Sequence, residues 1–316
     1  MGLGGRTAKY RILSIDGGGI RGIIPVILLE RLGLAAAAPA WIGQADLIAG
    51  TSTGGLIALA LAAGKSLAEI LGVYTARGAE IFDRSLWRMI SSIGSLIGAK
   101  YDIANLKDVV EPFLGRSTRL ADLPKRVLIA AFDLDSGGRS RQGRMWKPKL
   151  FHNFPGPDSD GEELAWKVGL RTSAAPTYFS PSDGFVDGGV YATNPSMCAL
   201  AQTQDPRVPA GPRIDELVML SLGTGISYQY IAAKSPDWGD AQWIEPLLAI
   251  MLDGVSGIAD YQCRQILRDR YFRLAPVFPA GTSVAMDAVA LGPFMVQFAQ
   301  AVDLSDAGAW LRAHWL

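Results

Sequence analysis

The stretch IAGTSTGG, Ile48 to Gly55, constrains the fold of this chain more than any other. It sets Ser52 between Gly50 and Gly54 in the G-x-S-x-G spacing of a nucleophile elbow, where a strand turns sharply into a helix and leaves the serine exposed. Glycines are needed on either side because side chains there would collide with neighbouring backbone. The required context is present, since ADLIA before it has strand character and GLIALALAAG after it is built of helix formers. The start of that helix turns its positive dipole end toward Ser52, which favours an anionic intermediate. An ordinary glycine-rich strand-to-helix turn is the other reading of the same residues.

Around the elbow, short apolar runs alternate with amphipathic segments. YRILSI (Tyr10 to Ile15) is apolar and breaks into three glycines, so a buried strand is expected. PVILLERLGLAAA has helical spacing, with Pro25 suited to a first turn. ADLIAG, KRVLIAAFDL, KLFHNF and ELVMLSLG complete at least five expected strands. That alternation implies an α/β fold with a mostly parallel central sheet and helices on both faces, a three-layer architecture. The region after SLGTGIS reads as helical and amphipathic as far as Arg273. LDSGGRSRQGRMWK and NFPGPDSDGEE read as surface loops rather than a linker. One catalytic domain over 1–316 is expected, with a core of roughly 10–225 and a helical C-terminal extension over 226–316.

Lys and Arg balance Asp and Glu at 30 each, so no net field draws nucleic acid, and no nucleic-acid module is recognisable. Cys198 and Cys263 lie far apart and make no metal-ligand spacing; cysteines this sparse favour a reduced compartment. MGLGGRTAKYRILSID lacks a signal-peptide apolar region and carries Arg6 where a myristoylation pattern has Ser or Thr. GGLIALALAAGKSL is too short to span a bilayer. A cytoplasmic protein, with peripheral membrane association open to it, is the expectation.

A serine hydroxyl needs a group to take its proton. The chain has 2 histidines: His152 in the apolar run KLFHNF, where a structural role fits better, and His314 near the C-terminal end. A carboxylate is therefore considered, and Asp187 in FVDGGVYATNPS is the best placed by sequence. Buried beside a serine hydroxyl, an aspartate whose pKa is raised accepts its proton. An Asp-Gly turn explains the same residues equally well. The third element is DGGGIRG, Asp16 to Gly22. Acyl transfer needs backbone N–H donors aimed at the developing oxyanion, and Gly17, Gly18 and Gly19 allow the backbone close approach, with the Arg21 charge nearby. Gly17, Gly19 and Gly22 also fit a loose G-x-G-x-x-G, which keeps dinucleotide binding as the rival.

DGGGIRGIIP, GTSTGG and DGG in that order resemble the patatin-like phospholipase family, in its plant-patatin-type and bacterial branches. The similarity extends through RTSAAPTYFSP, FVDGGVYATNPS and SLGTG, from about Arg11 to Gly225; the residues after it carry no family motif. The resemblance implies a Ser-Asp dyad, with Ser52 as nucleophile, Asp187 as base and no histidine. It implies an oxyanion loop of Gly17, Gly18 and Gly19 supported by Arg21, and hydrolysis of fatty-acyl esters of phospholipids through an acyl-enzyme. No metal and no organic cofactor are expected.

A lipid substrate calls for an apolar surface near the elbow. SLWRMISSIGSLIGAKY (Ser85 to Tyr101) fits interfacial seating or a core-facing helix, and AGAWLRAHWL offers Trp310 and Trp315 either as fold anchors or as lipid contacts. Some bacterial relatives resembling this chain are held inactive until a cyclic nucleotide or another signal binds; the Arg-rich GGRSRQGRMWK fits such a small-molecule activator, or a solvated loop. Acyl transfer, a signal-activated membrane-degrading phospholipase and a non-catalytic lipid-binding module are the competing readings.

Overall fold

The computed structural model describes residues 9–82, 98–137, 143–231 and 237–316. Most of the apolar segment that begins at Ser85, up to residue 97, and the stretch 138–142 of the Arg-rich loop lie outside the described residues.

The strands are β1 (Tyr10–Ile15), β2 (Leu47–Thr51), β3 (Arg126–Asp133), β4 (Lys147–His152), β5 (Phe185–Asp187), β6 (Leu217–Leu222) and β7 (Tyr271–Leu274). They form a seven-stranded sheet in the order β4-β3-β2-β1-β6-β7, with β5 joining β3. The central pairings are parallel, and β4 and β5 both run antiparallel to β3. The α/β class expected from the alternating elements is therefore the observed one.

Side-chain alternation along the strands divides the core into two layers. Leu13, Ile15, Ile48, Val218 and Leu220 point into the larger layer, which also takes up α1 (Ile23–Ala35) and α2 (Thr53–Ala62). Apolar nearly all round, α1 is buried along most of its length. Ile12, Leu47, Ala49 and Met219 point the other way, against Ala199, Leu200, Cys263 and Leu267. Those four come from the helix Ser196–Thr203 and the long helix Asp240–Leu267.

The C-terminal region departs from expectation. The long helix ends at Leu267, and Tyr271–Leu274 adds a parallel strand to the edge at β6 instead of continuing as helix. The four residues Tyr-Phe-Arg-Leu are too few to show a period, and an open sheet edge beside aromatic residues decides their state. Residues after 225 thus complete the sheet as well as adding helices.

The chain end is tied down by the same region. Trp315 is fully buried, packs edge-on against Trp41 at 5.3 Å and donates its indole N–H to the Trp41 carbonyl at 3.2 Å. Arg11 Nε reaches the Trp315 carbonyl at 2.7 Å, so β1 and the last helical turn hold each other. Both Trp310 and Trp315 are buried, which settles the two readings of that segment in favour of anchoring. Trp315→Ala is expected to lower the unfolding free energy by about 3–5 kcal/mol, read from urea denaturation.

Candidate functional site

The register of one strand brings the central pair together. β2 pairs with β3 from Leu47↔Arg126 to Thr51↔Ala130. β5 pairs with the next stretch of β3, with Asp187 opposite Ala131. The two strands run toward each other, so Ser52, the first residue past β2, and Asp187, the last residue of β5, arrive at the same point.

Local chemistry sharpens the turn. Ser52 adopts φ 55° and ψ −126°, strained for a non-glycine residue, at the N-terminal boundary of α2. A side chain on Gly50 would run into the backbone at Gly54, and one on Gly54 into the carbonyl of Ile15. The elbow is pinned by Thr172, whose hydroxyl accepts the Ser52 N–H at 2.8 Å and donates to the Ala130 carbonyl at 2.5 Å. Thr51 Oγ1 donates to the Ala192 carbonyl at 2.6 Å, tying the end of β2 to the segment after Asp187. Neither threonine carries a motif signal by itself, and both roles arise from non-local contacts.

Asp187 is buried, and burial pushes its pKa up to about 6, while hydrogen bonds from the Ser52 hydroxyl and the Gly189 N–H work in the opposite direction. The Gly189 bond is 2.7 Å. A carboxylate so placed has a hydroxyl neighbour and a pKa close to neutrality.

The glycine loop lies beside the same serine. The Gly17 N–H is taken by the Thr193 carbonyl at 3.0 Å, and the Ile20 N–H by the Met286 carbonyl at 2.8 Å. Among the described residues, the amides of Gly18 and Gly19 have no protein acceptor. Arg21 sends Nε to the Gly18 carbonyl at 3.3 Å and Nη1 to the Gly225 carbonyl at 3.4 Å, so its side chain braces the loop. The loop also takes the 3₁₀ turn Gly19–Gly22 straight into α1.

Below the loop lies a buried polar cluster that the motifs did not announce. Arg273 of β7 grips Asp16, with Nη1 at 2.8 Å from Oδ1 and Nη2 on Oδ2. Nη1 also donates to Ser221 at 2.8 Å, and Ser256 of the long helix donates to Asp16 at 3.3 Å. Burial works against the guanidinium charge, but the Asp16 carboxylate outweighs it and holds Arg273 above its ordinary pKa. Ser196 carries the network on, with Ser14 at 3.0 Å and Ser221 at 2.9 Å.

Two cavities open at Ser52. The larger, about 290 Å³, is walled by Gly18, Arg21, Asp187, Thr193, Gln229 and Asp253 among others. The smaller, about 60 Å³, is apolar and is lined by Leu56, Tyr74, Ile81, Leu106 and Phe179. A third apolar void of about 50 Å³ shares Leu56, Tyr74, Ile81 and Leu106 with it and extends toward Val110 and Phe113. His152 lies elsewhere: it lines a cleft with Lys147 and Asp158, and burial lowers its pKa. His314 stacks on Trp310 at 5.5 Å.

A half-buried serine on a strained elbow, a buried carboxylate beside it and loop amides without a protein acceptor among the described residues are the arrangement expected of a serine hydrolase on an α/β fold. The comparisons narrow this. The family model of patatin-like phospholipase matches residues 13–200. The chain is 30% identical to Patatin-12 of Solanum tuberosum, over 87% of this chain and 78% of that protein. It is 34% identical to a cGAMP-activated phospholipase of Escherichia coli, over 68% of this chain and 62% of that one. It is 29% identical to protein teg of Priestia megaterium, over 97% and 99% of the two chains. The chain belongs to the patatin-like phospholipase family, and it is a lipid acyl hydrolase.

Arg273→Met strands a buried carboxylate at Asp16, and removing one partner of such a pair costs about 3–5 kcal/mol. The double variant Asp16→Asn/Arg273→Met is expected to recover part of that loss, a coupling read from the four urea unfolding curves of the cycle.

Proposed function

We propose that the chain cleaves phospholipid acyl esters with Ser52 as nucleophile and Asp187 as its base. The observation that carries this is the meeting of the ends of β2 and β5 along β3, at Ala130 and Ala131. Ser52 Oγ attacks the ester carbonyl carbon, and its proton passes to the Asp187 carboxylate. The negative charge on the former carbonyl oxygen is met by the Gly18 and Gly19 amides, each donor worth roughly 3 kcal/mol in such a site. The intermediate collapses by expelling the alcohol, the lysolipid, which takes the proton from Asp187. Water then attacks the acyl-enzyme, giving its proton to Asp187, and Ser52 leaves with that proton as the fatty acid departs. The apolar voids beside Ser52 suit the acyl chain.

Peripheral membrane contact belongs to the same reading. Tyr228 and Tyr230 are 81% and 89% exposed and flank Gln229 at the larger cavity. Leu247 and Ile250, on the helix that also supplies Ala249 and Asp253 to that cavity, are exposed as well. Tyrosines and aliphatic side chains at a cavity mouth favour seating at a lipid interface. Among the described residues no helix is long and apolar enough to cross a membrane. An activating small molecule is supported by the name of the E. coli relative; fatty-acid release that ignores added cGAMP would remove this part.

Free fatty acid released from mixed phospholipid vesicles tests the chemistry. Ser52→Ala is expected to lower kcat by about 10⁴-fold or more and Asp187→Asn by about 10²–10⁴-fold, both variants being folded by thermal melting. Full activity in Ser52→Ala would overturn the mechanism.

The base must be ionised, and burial raises Asp187 to about 6. The wild-type kcat/KM should therefore hold above that pH and fall about tenfold per unit below it. The same raised pKa, about 6 against an ordinary 3.8, means that the ionised carboxyl costs the fold roughly 3 kcal/mol above pH 6. Asp187→Asn is expected to melt no lower than wild type at pH 8.

A further inference from the structure

The larger cavity carries more information than the dyad uses. The smaller void takes apolar matter only, so an ester seated at Ser52 with its chain there sends its alcohol side into the 290 Å³ cavity. That volume lies just below the range for small-ligand clefts, about 300–1,000 Å³, which suits a head group and leaves the lysolipid's remaining chain outside the cavity.

Charge is sparse on its walls. Among the described residues, its charged side chains apart from Asp187 are Arg21 and Asp253, set between apolar walls that include Val190, Val284 and Met286. Arg21 reaches the carbonyls of Gly18 and Gly225 only at 3.3 and 3.4 Å, and a guanidinium has five N–H donors, so capacity remains for an anion. Asp253 stands on the long helix at the cavity, exposed, with Gln229, Ser227 and Ser283 as neutral polar neighbours in the lining. The two charges act on one another across the space: burial drives Arg21 down and Asp253 up, and each opposes that shift in the other.

We infer that the larger cavity is a head-group subsite for zwitterionic, ammonium-bearing phospholipids, with Arg21 facing the phosphate and Asp253 the ammonium. This rests on the hydrolase reading above. An anionic head group would satisfy Arg21 and meet repulsion at Asp253, while an uncharged sugar would gain no ionic contact from either. Asp253 lies beyond the residues that the family model matches, in the part of the chain without a recognised motif.

The test uses short-chain phosphatidylethanolamine and phosphatidylglycerol dispersed as monomers, so that membrane seating plays no part. The quantity read is the ratio of their kcat/KM values, beside turnover of an uncharged short-chain ester. Wild type is expected to favour the ethanolamine lipid by about tenfold, Asp253→Asn to erase most of that preference, and Asp253→Arg to invert it. Equal rates in wild type, or a ratio unmoved in both variants, would overturn the head-group assignment. Wild type that leaves even the uncharged ester intact, or ester turnover surviving in Ser52→Ala, would instead strike the hydrolase reading on which it rests.

Discussion

One edge of β3 carries two strands, and the site depends on where they meet. Parallel pairing with β2 stops at Ala130, and antiparallel pairing with β5 begins at Ala131. Backbone hydrogen bonding sets that register, and a slip of one residue would turn every side chain of the strand to the opposite face. Ser52 and Asp187 are thus placed by the hydrogen-bonded register of the sheet. The strained backbone of Ser52 persists because Thr172, Thr51 and the close approach of Gly50 and Gly54 leave it no room to relax.

A second constraint works at the start of the glycine loop. The Asp16–Arg273 pair is almost fully buried, and a buried ion pair gives little net stability because desolvation offsets attraction. Its value is positional. Arg273 comes from β7 and Ser256 from the long helix, so the region after residue 225 fixes the base of the glycine loop beside Ser52. The sheet edge at β7 and the loop are one structural unit, although 257 positions separate Asp16 from Arg273 in sequence.

Burial also sets the chemistry. Desolvation raises the Asp187 pKa, which in the proposed role as base makes it a better match for proton transfer near pH 7 than an exposed aspartate. The same desolvation costs stability, so function and folding pull against each other at this residue. The smaller void beside the serine is apolar, whereas the larger one mixes apolar walls such as Val190, Val284 and Met286 with the charges of Arg21 and Asp253.

Much of this was legible from local pattern. The elbow is a short-range feature, since glycine spacing, a preceding strand and a following helix lie within one stretch of chain, and Ser52 with Gly50 and Gly54 could be named from it. The long apolar strands β1, β2, β3 and β6 and the helices between them were likewise readable, because burial on both faces demands continuous apolar runs. Asp187 could be nominated only by elimination and by resemblance, since an Asp-Gly turn explains the same residues; that it lies beside Ser52 follows from its pairing with Ala131, which no local pattern announces. What tertiary structure alone decided is everything that depends on distant residues meeting. Gly17 spends its amide on Thr193, Thr172 braces the elbow, the four residues of β7 become strand at a free edge, and Arg273 pairs with Asp16. Sequence determines what each segment can do by itself; which side chains share a buried space depends on register and packing, and no local pattern encodes those.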